Sequence, residues 1–267
     1  MKTVAGIALI AFSLTGCAAR LAPKPGVFDT SYEKIELSKR NFDITYVKPV
    51  SPHPAKVLVI FATGDAGWMG ASATVFEHIA ERGYYAAGFD SRELVKPNRQ
   101  SGERSSIDDS AKAFGDAFAH VKRTLGLPDD TPVIVTGMSR GASMTIFTAA
   151  HPDLRKGLSG AIAIALTIES DYLRAPDAAV RPPGIKVDEK ERILFYPILP
   201  LLDSMPIAVI QSTHDRYCPA AESRRLMGPD TPMLRLYPVE ARNHGFGGGT
   251  KQLLADLDDA FRWIDSK

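Results

Sequence analysis

The alternation of two hydrophobic patterns constrains the fold of this chain more than any other feature. Residues 57–61 read Val-Leu-Val-Ile-Phe, an uninterrupted apolar run that is typical of a strand buried on both faces. Residues 106–125 open with a Ser-x-x-Asp helix-start signal and continue with apolar residues spaced three and four apart. Strands that alternate with helices predict an α/β protein, with a mostly parallel central sheet and helices on both faces.

Strands and helices continue to alternate along the rest of the chain, which predicts a single domain over residues 32–267. Strands are predicted at residues 42–47, 57–61, 84–89, 133–135, 161–166, 207–210 and 233–237. The first of these, Phe42–Val47, is expected at the edge of the sheet. Residues 169–204 contain five prolines and show no periodicity, and long unpatterned connections are often functional. We therefore predict a small lid insertion at about residues 169–204.

Composition excludes several functional classes. The 32 Lys and Arg residues nearly balance the 31 Asp and Glu residues, which argues against a nucleic-acid partner bound through bulk positive charge. Two cysteines in 267 residues cannot form a disulfide framework. The six histidines and two cysteines show no metal-ligand spacing, so neither a metal nor another cofactor is predicted.

The N-terminus has the pattern of an export signal. Residues 4–12 form an apolar run that is too short to cross a bilayer, and it leads into Leu14-Thr15-Gly16-Cys17. This ending resembles a bacterial lipobox, which implies a signal peptide over residues 1–16 and acylation of Cys17; the alternative is a plain secretory signal with an incidental cysteine. Residues 17–31 are interpreted as a tether. Ala18 after the cysteine favours a periplasm-facing lipoprotein anchored in the outer membrane.

The motif that carries chemistry is Gly137-Met138-Ser139-Arg140-Gly141, which fits G-x-S-x-G. An apolar strand precedes it and an apolar helix follows, which is the arrangement of a nucleophile elbow. The alternative is a serine in an ordinary tight turn. In an elbow the hydroxyl lies above the N-terminus of the following helix, where amides stabilise developing negative charge. Ser139 is therefore the candidate nucleophile.

A serine nucleophile needs a base that an acid orients, and the elbow predicts that both follow it in the chain. Asp215 follows the strand at 206–211, and His244 follows the next strand at 233–237. In this arrangement Ser139 attacks an acyl carbonyl, His244 transfers the proton and Asp215 fixes the imidazole tautomer. Glu169 and Asp171 are alternative acids.

Two further residues near the predicted acid have less suitable positions for catalysis. His214 adjoins Asp215 but comes too early in the chain to be the base, and we interpret it as a wall or surface residue. Cys218 is interpreted as a buried structural cysteine rather than a nucleophile.

A glycine-rich turn at residues 64–67 supplies the second half of the predicted oxyanion hole. The oxyanion hole would be formed by two backbone N–H groups: that of Arg140, which follows Ser139, and that of Asp65 or Ala66 in the turn. The turn lacks the spacing of a phosphate-binding loop, so a nucleotide site is not predicted. Two alternatives stay open here: the Arg140 side chain could bind an anionic substrate or form an ion pair, and Trp68 could line a pocket or fill the core.

These residues resemble those of the α/β-hydrolase superfamily over nearly the whole mature chain. A narrower resemblance links Gly64–Trp68, Gly88–Arg92 and Asp215–Pro219 to the bacterial virulence protein VirJ and AcvB domain family. That family implies an exported hydrolase with Ser139, Asp215 and His244 as its catalytic set, and aminoacylated phospholipid as a substrate class. The chain departs from the family pattern at Glu93–Val95 and has the single His244 in place of paired histidines.

Together these observations predict a membrane-tethered serine hydrolase that cleaves carboxylic esters of small molecules or lipids. One alternative is a non-catalytic lipoprotein that uses the fold as a binding or assembly module. Another is a peptidase or thioesterase with the same triad. The sequence indicates no particular protein partner.

Overall fold

The predicted alternation of strands and helices builds one large sheet in the computed structural model, which describes residues 21–94, 106–170, 172–176 and 184–267. The strands are β1 (Phe28–Leu37), β2 (Arg40–Pro49), β3 (Leu58–Ala62), β4 (Tyr85–Phe89), β5 (Val133–Met138), β6 (Leu158–Ile164), β7 (Glu169–Ser170), β8 (Lys186–Val187), β9 (Ile193–Leu194), β10 (Ile207–Ser212) and β11 (Leu234–Val239). The helices are α1 (Ala71–Glu81), α2 (Ser91–Leu94), α3 (Ile107–Leu125), α4 (Arg140–Ala150), α5 (Pro152–Arg155), α6 (Ala220–Met227) and α7 (Thr250–Asp265), with a 3₁₀ helix at Tyr196–Leu201.

The main sheet has eight strands among the described residues, in the order β1-β2-β4-β3-β5-β6-β10-β11. The first two pairings, β1 with β2 and β2 with β4, are antiparallel, and the remaining pairings are parallel. The predicted mostly parallel α/β sheet is therefore confirmed. All parallel strands end at the same edge, where loops from different parts of the chain meet.

Each face of the sheet has its own hydrophobic core because successive residues of a strand point to opposite sides. In β3, Leu58 and Ile60 belong to one core, whereas Val59 and Phe61 belong to the other. Helices α3 and α4 supply the first core with side chains such as Phe114 and Phe147. Helices α1 and α7 supply the second.

The helix-start signal at residue 106 is confirmed in detail. Ser106 is the N-cap of α3, and its hydroxyl accepts a hydrogen bond from the Asp109 backbone N–H at 3.1 Å. The helix ends at Leu125, and its C-cap is Gly126, whose φ of 69° is left-handed and suits a residue without a side chain.

The amino-terminal part of the sheet corrects two predictions. Residues 42–47 belong to β2, which lies inside the sheet, and the edge strand is β1. Because β1 begins at the buried Phe28, residues 28–31 belong to the sheet and not to the tether predicted over 17–31. One long face of β1 is exposed, so its sequence lacks the apolar run that reveals a buried strand.

The segment predicted as a lid contains a small antiparallel sheet in the order β7-β9-β8, followed by the 3₁₀ helix. Strands of two residues are too short to show any periodicity, which is why the sequence did not reveal them. Apolar side chains of this segment, including Leu173, Phe195 and Leu199, are buried in the core that contains α3 and α4. Asp171 lies outside the described residues.

The predicted signal peptide, Cys17 and Ala18 also lie outside the described residues. Across the part of the chain that is described, no helix combines the length and the apolar character needed to cross a membrane.

Candidate active site

Ser139 occupies the turn between β5 and α4 in a strained conformation. Its φ of 55° and ψ of −115° lie in a region that residues with side chains rarely adopt. The two motif glycines make this turn possible. A β-carbon on Gly137 would lie 2.4 Å from the Gly141 carbonyl oxygen, and one on Gly141 would lie 2.0 Å from the Ala62 carbonyl oxygen. The backbone thus has the geometry of a nucleophile elbow.

Asp215 and His244 are in direct contact although 28 residues separate them in the chain. The Asp215 Oδ2 atom lies 2.6 Å from the His244 Nδ1 atom. The two residues follow β10 and β11, which pair in parallel, so their loops emerge side by side. Asp215 is 1% exposed, which protects this hydrogen bond from competing water.

Three further donors hold the Asp215 carboxylate. Oδ1 accepts from the backbone N–H groups of Tyr217 at 2.8 Å and Cys218 at 3.4 Å. Oδ2 also accepts from the Gln211 side-chain amide at 3.0 Å, and the same amide nitrogen donates to the Cys218 carbonyl. Sequence reasoning missed Gln211. The signal was available, since Gln211 is a polar residue in the otherwise apolar run before the predicted acid.

Ser139 and His244 line one cavity of about 530 Å³ at the carboxyl edge of the sheet. Met69 and Tyr217 also line it, with exposed fractions of 66% and 49%. The Tyr217 ring lies edge-on to the His244 ring with centroids 4.8 Å apart. The nucleophile and base candidates therefore face the same space, beside two exposed apolar side chains.

A second cavity, of about 360 Å³, shares Ser139 with the first and extends toward the small sheet. It is lined by Arg140, Glu169 and Arg192, among others. Arg140 forms an ion pair with Asp65 of the glycine-rich turn, and Arg192 lies 2.8 Å from Glu169. Ser139 thus lies between an open, partly apolar space and a more charged one.

The glycine-rich turn packs directly against the candidate nucleophile. A β-carbon on Gly64 would lie only 3.2 Å from the Ser139 β-carbon. The Gly67 N–H closes the turn by donating to the Gly64 carbonyl at 2.9 Å. Asp65 and Ala66 line the larger cavity with Ser139. The residues of the turn that are predicted to stabilise the oxyanion therefore lie beside Ser139.

The contacts of each residue distinguish between the alternative candidates for the acid and the base. Of the two described acid candidates, Asp215 contacts His244, whereas Glu169 is paired with Arg192. His214 is exposed and its Nδ1 atom lies 3.1 Å from the Ala241 carbonyl oxygen, consistent with a surface residue.

Two other residues with open interpretations are buried. Cys218 is fully buried, and burial raises the pKa of its thiol. The thiol is within hydrogen-bond distance of the Tyr196 and Ser223 hydroxyl groups. Trp68 is buried between Phe61 and Phe76 and fills the core. A thiol held in its neutral form is a poor nucleophile, so the placement of Cys218 fits a structural role.

Within the described ranges, no group of three His, Cys, Asp or Glu side chains is placed to hold a metal ion.

The comparison with solved structures agrees with this architecture. An esterase from Pyrococcus furiosus is 15% identical, aligns over 93% of this chain and 98% of its own, and has a TM-score of 0.64. An α/β serine hydrolase homologue from Coxiella burnetii is 12% identical over 90% of this chain and 98% of its own, with a TM-score of 0.59.

The chain has the α/β-hydrolase fold.

A naproxen esterase from Bacillus subtilis shares this fold at 11% identity, over 88% of this chain and 92% of its own, with a TM-score of 0.59. No protein-family model matches the sequence, and no curated relative matches it either. The broad α/β-hydrolase resemblance is thus confirmed for the fold. The narrower resemblance to the VirJ and AcvB domain family stays a prediction that no comparison supports.

Proposed function

We propose that this protein is a serine hydrolase that cleaves carboxylic esters through an acyl-enzyme at Ser139. The observation that carries the proposal is the buried Asp215 carboxylate at 2.6 Å from His244 Nδ1, on a cavity that His244 shares with the strained Ser139. The fold it shares with esterases adds support, although distant likeness by itself indicates only the fold.

Each residue has a role that follows from its position. His244 takes the Ser139 proton as the hydroxyl oxygen attacks the carbonyl carbon, and Asp215 accepts the Nδ1–H bond and stabilises the imidazolium. The N–H groups of Arg140 and of Asp65 or Ala66 stabilise the oxyanion. The alcohol leaves with the proton that His244 held. A water molecule, deprotonated by His244, then attacks the acyl-enzyme and releases the acid and Ser139.

The proposed substrate class is an ester with an apolar and a polar side. Met69 and Tyr217 offer apolar surface beside Ser139, while Arg140 and Glu169 line the charged cavity on its other side. An aminoacylated phospholipid, which the VirJ resemblance suggests, is one member of this class. Anchoring of the chain through acylated Cys17 would keep the enzyme close to such a substrate.

Labelling with a fluorophosphonate probe, followed by intact-mass measurement, tests the proposal directly. We expect one adduct on the wild-type protein and none on Ser139→Ala, because only an activated serine attacks the probe. His244→Ala should reduce labelling by at least about 10³-fold. The matched control is His214→Ala, which removes a neighbouring exposed imidazole and should leave labelling unchanged. Absence of an adduct on folded wild-type protein would favour a binding or assembly module instead.

A substrate panel separates the ester assignment from its closest alternatives. Wild-type protein would be given p-nitrophenyl esters, acyl thioesters and short peptides, each with Ser139→Ala as the blank. We expect the highest kcat/KM for esters. A preference for peptides or thioesters over every ester would move the assignment to a peptidase or a thioesterase with the same triad.

The proposed anchor has its own test. In a bacterial host, the full chain should incorporate labelled palmitate and sediment with membranes, and Cys17→Ala should abolish both. Export of the Cys17→Ala chain as a soluble protein, together with absence of label in the wild type, would favour the plain secretory signal.

A further inference from the structure

Ser91, which follows the end of β4, lies beside the turn that supplies the proposed oxyanion donors. Strands β3 and β4 are parallel neighbours, with Ala62 paired to Phe89, so the residues after each strand meet at the same edge. The Thr63 N–H donates to the Phe89 carbonyl at 3.0 Å and continues the pairing beyond the strands. The sequence motif that contains Ser91 has no role in the mechanism described above.

Two hydrogen bonds join Ser91 to this turn and to Thr63, the residue before it. Its backbone N–H donates to the Thr63 hydroxyl at 3.1 Å, and its own hydroxyl donates to the Gly64 carbonyl at 3.3 Å. Ser91 is 0% exposed, so water does not compete for either bond. A buried serine hydroxyl is thus directed at one backbone carbonyl of the turn.

That carbonyl belongs to the same peptide unit as the Asp65 N–H. A trans peptide is planar, and its C=O and N–H bonds point in opposite directions. The hydrogen bonds that fix the Gly64 carbonyl, from the Ser91 hydroxyl and the Gly67 N–H, therefore also fix the direction of the Asp65 N–H. Donation to a carbonyl also polarises its amide and makes the N–H a stronger donor.

The rest of the Gly64 residue is fixed as well. Its N–H donates to the Ser72 hydroxyl at 3.3 Å, and a β-carbon added to it would lie 3.2 Å from the Ser139 β-carbon. The turn is also supported at its far end, where the Arg92 guanidinium lies against Gly67 and is held by Asp90 at 2.9 Å. The Ser91 hydroxyl therefore adds a side-chain hydrogen bond to the Gly64 carbonyl of a turn that is also held on either side.

We infer that Ser91 is a positioning residue for the oxyanion hole, which orients and polarises the Asp65 N–H toward the transition state. This inference rests on the proposed hydrolase function. Ser91 touches no reacting atom, and its effect passes entirely through the Gly64–Asp65 peptide.

The test compares Ser91→Ala with wild-type protein on p-nitrophenyl butyrate. Removing a complete oxyanion donor costs about 10²–10³-fold in kcat, so misdirecting one should lower kcat by about tenfold. KM should stay within about twofold, since the oxyanion forms only in the transition state. Ser91→Cys keeps a weak donor of similar size and should recover part of the loss.

The matched control is Ser159→Ala. Ser159 also donates its hydroxyl to a backbone carbonyl, that of Val133 at 3.4 Å, but at the opposite end of the parallel strands. Its loss should leave kcat unchanged.

A second readout separates positioning from a merely structural role. An aryl trifluoromethyl ketone, which forms an oxyanion when Ser139 adds to it, should bind Ser91→Ala about tenfold more weakly than wild type. The corresponding methyl ketone should bind both equally. Equal weakening for both ketones, or a kcat within twofold of wild type, would overturn the inference. Failure of the wild-type protein itself to hydrolyse the ester would instead count against the proposed function.

Discussion

At the scale of single residues, the conformation of Ser139 has a cost that can be measured. At its φ of 55°, a residue with a β-carbon has about 1–3 kcal/mol of backbone strain, which glycine largely avoids. We expect Ser139→Gly to have a free energy of unfolding about 1 kcal/mol higher than Ser139→Ala, measured by urea denaturation. Both variants lack the hydroxyl, so they differ only by the β-carbon, whose strain in the folded state is opposed by the greater freedom of glycine in the unfolded chain. Equal stability of the two would contradict the strained geometry.

Gln211 lies outside the predicted triad but is in direct contact with Asp215. Its side-chain amide donates hydrogen bonds to both the Asp215 carboxylate and the Cys218 carbonyl, and thereby holds the turn that carries Asp215. The Asp215 carboxylate is charged and buried, and hydrogen bonds to charged groups contribute more than those between neutral groups. The position of Asp215 therefore depends on the strand below it as well as on its own turn.

At the scale of elements, the packing of α4 against β3 depends on Gly141. A β-carbon there would lie 2.0 Å from the Ala62 carbonyl oxygen and 2.7 Å from that of Thr63, and backbone atoms cannot move aside. We expect Gly141→Ala to reduce the free energy of unfolding by about 3 kcal/mol or more and to abolish probe labelling. Gly157→Ala is the control, because no atom lies within 4 Å of its added β-carbon. Denaturation of both variants in urea gives the comparison.

The edge strand β1 is tied to its neighbours through Glu33. This carboxylate lies 2.6 Å from the Tyr46 hydroxyl on β2 and 2.8 Å from His120 on α3. These bonds, that of Tyr46 first, lower the pKa of Glu33 below its ordinary value of 4.5. The lowered pKa means that Glu33 stabilises the fold above pH 4.5 and that this contribution disappears as the pH falls through the folded-state pKa.

Glu33→Gln should therefore remove a pH-dependent increment of stability. Because Glu33 is about one-third exposed, we expect the variant to lose less than about 1 kcal/mol of its free energy of unfolding at pH 7. At pH 3 the difference in this free energy between the variant and the wild type should be smaller still. Urea denaturation across this pH range measures both values. Glu36→Gln on an exposed position of the same strand is the control. If the difference in free energy of unfolding between variant and wild type grew as the pH was lowered, the inferred direction of the Glu33 pKa shift would be wrong.

At the scale of the whole molecule, the two cores share the strands that separate them. Trp68 and Trp263 lie in one core, and Cys218 lies in the other. One core cannot open without displacing alternate side chains of the same strands, so we expect both to unfold together. Tryptophan fluorescence and alkylation of Cys218, quantified on its tryptic peptide, should give the same urea midpoint. Two separate midpoints would indicate two independent units in place of the predicted single domain.

The protection of Cys218 follows from the same packing. Burial raises the pKa of the thiol, so the reactive thiolate is scarce at neutral pH even before access is considered. Alkylation below the unfolding transition should consequently be slow.

The sequence by itself determined the α/β class, the elbow and the chain order of the three candidate catalytic residues. Each depends on local information: apolar runs, helical spacing and the glycines that a tight turn demands at Gly137 and Gly141. The catalytic roles inferred from that order stay predictions until labelling tests them.

Only the tertiary structure decided which residues and strands are in contact. It placed Asp215 rather than Glu169 against His244, β1 rather than β2 at the edge, and Ser91 on the carbonyl of Gly64. These contacts join residues far apart in the chain, and they depend on which strands are neighbours in the sheet. Strand order follows from burying both faces of the whole sheet at once, so no local stretch of sequence specifies it.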